Sequence, residues 1–189
     1  MSDTNSLSEE YPQDIIDRAR RVRLLALDVD GVLTDNRLHY DANGVETKSF
    51  HVQDGHGLKL VLRSGVRVAL ITGRSSPMVE RRAKELGIQD VIQGREDKLV
   101  ALTDLCREHG IELEEVAYCG DDLPDREAIR RVGLGVSVPN AMAYVMSEAN
   151  WVTSRQGGDG AVRELCDLLL KAQGHWASVL DTYLQESRP

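Results

Sequence analysis

The stretch LLALDVDGVLTD, Leu24 to Asp35, decides how this chain is read. Its first six residues, Leu24 to Val29, form an apolar run of buried-strand character. The run delivers Asp28 and Asp30 to the strand's carboxyl end, and Gly31 then turns the chain. In an open α/β sheet that end is where ligands bind. Two carboxylates so close repel one another unless a cation or a proton lies between them. The pair therefore points to a hard divalent cation and to phosphate chemistry. An Asp-Gly turn also arises for ordinary reasons of turn geometry, so the weight of the pair rests on the remaining chain.

The 189 residues suit one domain around one core and are too few for two large ones. With 41% hydrophobic and 29% charged residues, the composition is that of a soluble globular protein. A net charge of -8 argues against a nucleic-acid partner, which would favour a basic surface. It leaves room for a small anionic substrate in a local basic pocket. No segment approaches the ~18 apolar residues of a membrane helix, and the first residues are too polar for a signal peptide. Cys106, Cys119 and Cys166 are far apart and form no C-x-x-C pair, which favours reduced, buried thiols. A cytoplasmic protein with no membrane partner is expected.

Outward from the opening strand, residues 1–13 read as a disordered polar tail, with a short helix from Asp14 before the strand. Residues 14–174 read as a single domain. Within it, 36–50 forms a hairpin flap, because two alternating runs flank Asn43-Gly44. Beyond the flap, helix is expected from Leu58 to Leu62 and strand over Val66–Ile71. Pro77 starts a helix that Gly87 caps. A strand at Val91-Ile92, a helix from Lys98 to His109, strands at Val116–Cys119 and Leu134–Val138, and helices between them complete the pattern. Trp151-Val152 is an edge-strand candidate, and Ala161–Gln173 carries an apolar helical stripe. This regular alternation predicts an α/β fold: a Rossmann-like parallel sheet covered by helices on both faces, with no large cap domain.

Four strand ends finish in polar clusters: Asp28 and Asp30; Thr72-Gly73-Arg74; the segment leading to Lys98; and Gly120-Asp121-Asp122-Leu123-Pro124-Asp125. If the strands are neighbours, the clusters meet in one crevice. A carboxylate can attack phosphorus and split one hydrolysis into two steps. A second acid can protonate the leaving oxygen and then activate water. A hydroxyl and a lysine can stabilise charge on the equatorial oxygens. A further carboxylate helps complete a magnesium site. Singly, Thr72 is a capping residue, Lys98 a solvated helix start and Asp121-Asp122 a helix N-terminus. Together and in this order, they make the bland reading improbable.

The order Asp28-x-Asp30, Thr72, Lys98 and Gly120-Asp121-Asp122 resembles the haloacid dehalogenase superfamily of phosphohydrolases. FHVQDGHG, ITGR, GVSVPNA and the ending GGDGAVRELCDLLLKAQG narrow the likeness to its capless sugar-acid phosphatases. The resemblance covers about Ile15 to Gly174. It implies Asp28 as nucleophile, Asp30 as general acid/base, and Thr72 and Lys98 as holders of the phosphoryl group. It implies Mg2+ bound by Asp28, the Asp30 carbonyl and Asp121. Substrate contacts would fall on Asp30, His51, Val52, Gln53, Asp54, Gly55, Lys59, Arg74, Arg82 and Lys98. The substrate would be the phosphate of an eight- or nine-carbon sugar acid, whose carboxylate suits a guanidinium fork. The chain departs from the expected pattern at His51, Gln53 and Lys59, where Asn, Arg and Arg are expected, and at Asp159, where a basic residue is.

A site without a cap admits water, which weakens electrostatic stabilisation, so another element should cover it. Trp176, Val179, Leu180, Tyr183 and Leu184 form an apolar stripe in the tail 175–189. From pattern alone it suits equally a helix packed on its own domain or a subunit interface. The resemblance implies a homo-oligomer, a tetramer, whose tails reach a neighbour's site. Gly157-Gly158-Asp159-Gly160 would then be a mobile, substrate-contacting hinge.

Overall fold

The computed structural model describes residues 3–185. In chain order it runs α1 (Asp3–Glu10), α2 (Gln13–Ala19), β1 (Leu24–Leu27), β2 (His39–Tyr40) and β3 (Glu46–Thr47). Next come α3 (Val52–Arg63), β4 (Arg67–Ile71), α4 (Pro77–Leu86), β5 (Asp90–Ile92) and α5 (Lys98–His109). The remainder is β6 (Val116–Gly120), α6 (Arg126–Arg131), β7 (Leu134–Ser137), α7 (Ala143–Met146), β8 (Trp151–Val152), α8 (Ala161–Ala172) and α9 (Trp176–Gln185).

Six strands form one parallel sheet in the order β5-β4-β1-β6-β7-β8. β1 is buried throughout, and its side chains divide by the period of two. Leu25 and Leu27 enter a core layer shared with α2, α3, α4 and α8. Leu24 and Ala26 enter the layer shared with α5, α6 and α7. From β1 the chain first winds outward to β4 and β5, and then returns to β6, β7 and β8 on the other side. The order reverses at β1, so a crevice opens at its carboxyl end. That reversal places Asp28 in the crevice.

The hairpin forms around Asp41, whose carboxylate accepts from the N–H groups of Asn43 and Val45, each at 2.8 Å. Its ladder is short: His39 pairs Thr47, and Tyr40 pairs Glu46. Between Asp30 and Thr72 the chain holds only this hairpin, α3 and β4, so no cap domain intervenes.

Two expectations change. The disordered tail expected over 1–13 gives way to helix from Asp3, while Met1 and Ser2 lie outside the described residues. Leu7 and Tyr11 are buried, and the Tyr11 ring meets Trp151 edge-on at 5.6 Å. α3 begins at Val52 rather than Leu58. Its glycines disfavour helix locally, yet Gly57 allows close packing, since a Cβ there would stand 3.0 Å from Cys166 of α8. Tertiary contact overrides propensity. α9 packs Trp176 and Val179 onto its own core, one of the two arrangements its stripe suits, while Leu180 and Tyr183 stay exposed.

Candidate active site

Asp28 follows β1 directly, and its N–H still donates to the Cys119 carbonyl at 3.0 Å, so the sheet itself fixes its position. Gly31 then takes φ +102°, a conformation open mainly to glycine. A Cβ at this position would lie 2.0 Å from an Asp121 carboxylate oxygen. The turn therefore needs glycine twice, for its backbone and for the space it leaves to Asp121. Asn140 clamps the turn from outside: its amide donates to the Gly31 carbonyl at 2.9 Å and accepts from Gly157 N–H at 2.7 Å.

Gly157 and Gly158 pack against the same loop, and Gly158 N–H donates to the Val32 carbonyl at 2.9 Å. The expectation of a mobile hinge at the GGDG segment is not met in its first half. Its first two glycines instead brace the loop that carries Asp28 and Asp30, because only glycine permits so close a backbone approach.

Lys98, the first residue of α5, is buried beneath the crevice. Its Nζ donates to Asp28 Oδ1 at 2.6 Å and to Asp125 Oδ1 at 2.7 Å. Asp125 also accepts from the Tyr118 hydroxyl at 2.6 Å and from the N–H groups of Asp121 and Asp122, each at 3.1 Å. Both its oxygens are committed, so Asp125 anchors Lys98 and shapes the Gly120–Asp125 loop. Sequence reasoning places it in the fourth polar cluster but assigns it no role. The spacing GDDLPD contains the signal, but an aspartate there also reads as a helix cap.

Asp28, Asp121 and Asp125 bring carboxylate oxygens within 4.8 Å of one another. Burial and the charge of Asp125 push the Asp28 carboxyl up to about 7, against the pull of Lys98. Burial and the charges of Asp28 and Asp125 push Asp121 up to about 8. Burial lowers the Lys98 pKa, but the two facing carboxylates raise it past its ordinary value. One ammonium among three buried acids leaves an excess of negative charge. With Asp125 occupied, Asp28 and Asp121 are the free oxygen donors, and an all-oxygen set suits a hard divalent cation. The Asn36 amide holds Asp121 Oδ2 at 3.1 Å.

Thr72, at the end of β4, is buried and accepts from Arg74 N–H at 3.2 Å. Arg74 places its guanidinium 3.2 Å from each Glu46 carboxylate oxygen and 4.0 Å from Asp30 Oδ2. Thus Asp28, Asp30, Thr72, Arg74, Lys98 and Asp121 all line one open cleft of about 220 Å³. A larger cavity of about 440 Å³ lies elsewhere, beside Tyr11, Trp151 and Arg163. It gathers no buried acids around an open donor set, and Arg163 there is paired with Asp167 at 2.7 Å.

The residues at the start of α3 do not line the cleft. Asp54 and Gly55 are buried. Asp54 accepts from Arg163 N–H at 2.7 Å and ties α3 to α8, while Gly55 makes room for the Arg82 guanidinium. His51 is partly buried, with Nε2 3.9 Å from Asp159. Gln53 accepts from Arg155 at 3.1 Å, and Val52 and Lys59 are exposed. Arg82 lies over the Phe50 ring, 5.8 Å from its centroid, and pairs with Glu85 at 3.6 Å.

Residues 88–165 match the pattern of the haloacid dehalogenase-like hydrolases. The chain is 48% identical over 161 residues to a 3-deoxy-D-manno-octulosonate 8-phosphate phosphatase of Escherichia coli (strain K12), spanning 85% of this chain and 86% of that one. The chain belongs to this phosphatase family of haloacid dehalogenase-like hydrolases. Among solved structures, the family's Moraxella catarrhalis phosphatase, in complex with magnesium, phosphate and 3-deoxy-D-manno-octulosonate (KDO), superposes with a TM-score of 0.90 at 49% identity. It covers 92% of this chain and 99% of its own. The cobalt-bound Haemophilus influenzae phosphatase superposes with a TM-score of 0.80 at 43% identity, covering 83% of this chain and 92% of its own. Within this phosphatase family, the chain's buried acid cluster and hairpin-bounded cleft supply a site suited to phosphoryl transfer.

Proposed function

We propose that this protein is a magnesium-dependent phosphatase that hydrolyses 3-deoxy-D-manno-octulosonate 8-phosphate to KDO and phosphate, for bacterial lipopolysaccharide synthesis. The observation that carries the reading is the Lys98 ammonium held between Asp28 and Asp125 in the cleft that also contains Asp30, Thr72 and Asp121. The magnesium, phosphate and KDO bound by the Moraxella relative support it.

In this reading Asp28 attacks phosphorus through its free carboxylate oxygen, forming an aspartyl-phosphate as the sugar oxygen departs. Asp30 gives that oxygen a proton and later takes one from the attacking water. Lys98 and the Thr72 hydroxyl stabilise the negative charge of the phosphoryl oxygens. Asp28, Asp121 and the Asp30 carbonyl would hold the magnesium ion, which supplies charge neutralisation at the phosphate when bound. Arg74 stands at the cleft rim, where a guanidinium suits the sugar's carboxylate.

The protein acts as a homotetramer in the cytoplasm in this proposal. Exposed Leu38, Tyr40 and Val45 on the hairpin and Val52 beside it favour an interface there. Among the described residues no helix is long and apolar enough to cross a membrane.

Phosphate release from a panel of eight- and nine-carbon sugar-acid phosphates, with and without magnesium, tests the activity. Release from the eight-carbon substrate that requires magnesium is expected. No turnover on any member would overturn it, and faster turnover of a nine-carbon phosphate would move the substrate. Light scattering tests the assembly, with a tetramer expected and a monomer overturning it.

A further inference from the structure

Lys48 stands just beyond β3, in a hairpin whose large residues Leu38, Tyr40 and Val45 face solvent. Its own side chain is only 2% exposed. A buried ammonium needs anionic partners, and Lys48 has two. Its Nζ bonds Asp30 Oδ1 and lies 3.4 Å from Glu46 Oε1. Glu46 and Lys48, two residues apart, both turn inward at the root of the hairpin. Glu46 in turn holds Arg74 at 3.2 Å, and Arg74 approaches the second Asp30 oxygen at 4.0 Å. Four alternating charges therefore close a ring: Asp30, Lys48, Glu46, Arg74.

This ring has a consequence on each side. A hairpin with two paired positions is marginal by itself, and the ring fixes it over the cleft. In return Lys48 restrains the Asp30 carboxyl by one oxygen and leaves Oδ2 without a short bond, 4.0 Å from Arg74, a residue that lines the cleft with Asp30.

We propose that Lys48 is a positioning residue for Asp30: the hairpin delivers it to hold the general acid/base in the orientation that exchanges a proton with the leaving sugar oxygen. The inference rests on the phosphatase reading above. In the step concerned, an Asp28 oxygen forms a bond to phosphorus while the phosphorus–sugar oxygen bond breaks. The electron pair leaves with the sugar oxygen, and the Asp30 carboxyl transfers its proton there. In the second step water bonds to phosphorus, its proton passes to the Asp30 carboxylate, and the Asp28–phosphorus link breaks. Misplacing Asp30 therefore harms a poor leaving group more than a good one.

The test compares single-turnover release of leaving group from 3-deoxy-D-manno-octulosonate 8-phosphate and from p-nitrophenyl phosphate, both with magnesium. Nitrophenolate departs without a proton, whereas a sugar alkoxide does not. General acid catalysis contributes about 10²–10⁴-fold. Lys48→Met should therefore slow the sugar phosphate at least about tenfold and the aryl phosphate by less than about threefold. KM for the sugar phosphate should change little, and Lys48→Arg should recover part of the loss. Equal losses on both substrates, or no loss on the sugar phosphate, would overturn the assignment. If Lys48→Met fails to fold, Lys48→Gln beside Lys48→Arg is compared on the same two substrates, with the same selective loss expected and an equal loss overturning the role. A wild-type protein that cleaves neither substrate would overturn the phosphatase reading itself, before any variant is compared.

Discussion

Lys98 donates to Asp28 across 2.6 Å, joining the first residue of α5 to the first residue after β1. The contact spans 70 positions of sequence and is buried, so the sheet and α5 must both be in place before it forms. It also supplies positive charge to a cluster that otherwise holds three carboxylates. Site and fold are thus coupled through one side chain.

Replacing Lys98 with Met should therefore cost both activity and stability. Removing one member of a buried ion pair leaves uncompensated charge and typically costs about 3–5 kcal/mol. Here Asp28 and Asp125 would both lose their partner. Thermal unfolding without metal should show a clear fall in Tm, and phosphate release should drop to background. An unchanged Tm would mean that the acids are neutral or solvated without the lysine.

How far the sequence anticipates this arrangement depends on which residues are considered. Asp28, Asp30, Thr72, Lys98 and Asp121 are legible because each follows a strongly apolar strand or opens a helix beyond one, and parallel topology brings such ends together. Asp125 does not stand out, because its role depends on the Tyr118 hydroxyl and on Lys98, both brought to it by the fold. Lys48 and Glu46 lie in the flap, where alternation alone does not say which charged side chains turn inward. Asp54 shows the converse: it lies in a motif that suggests substrate contact, and the fold buries it where Oδ1 accepts from Arg163 N–H in the packing of α3 on α8. Sequence spacing identifies chemistry at strand ends; it does not say which polar groups the helix packing will consume.

The raised Asp28 and Asp121 carboxyls predict an inverted pH dependence for the metal-free protein. In the unfolded chain both ionise near the ordinary value of 3.8, but in the fold they do so at about 7 and about 8. Between these limits the folded state binds more protons than the unfolded one. Unfolding free energy therefore falls as pH rises through roughly 4 to 8, with the contribution lost above it. Metal-free Tm should be lower at pH 8.5 than at pH 5.5 on account of these groups. Saturating magnesium should raise the Tm most at the higher pH, because the cation then offsets full negative charge. A magnesium effect of equal size at both pH values would count against the cluster as the binding site.

Asp28→Asn separates the chemistry from the charge. The amide cannot attack phosphorus as a carboxylate does, so turnover should fall by about 10⁴ or more, toward the residual rate left by binding and electrostatics. At the same time the change removes one of the repelling acids from the metal-free cluster. Without magnesium at pH 8.5, its Tm should equal or exceed that of the parent protein. Activity near the parent's would refute Asp28 as the nucleophile, and a large loss of stability would refute the repulsion argument.

Gly31→Ala probes the turn that links nucleophile and metal ligand. At φ +102° an alanine is strained, and its Cβ would stand 2.0 Å from the Asp121 carboxylate, so Asp121 must move or the turn must open. Either movement changes the distance between the two free oxygen donors. Magnesium affinity, measured by calorimetry on the variant, should therefore weaken by about tenfold or more, since loss of support around a metal ligand commonly costs 10–100-fold. Asn36→Gly offers the matching control, because it keeps a positive φ available while removing only the amide held at 3.1 Å from Asp121. It should weaken affinity less than Gly31→Ala. Equal affinity in Gly31→Ala and the parent would show that Asp121 binds no metal, or that the loop yields without moving it.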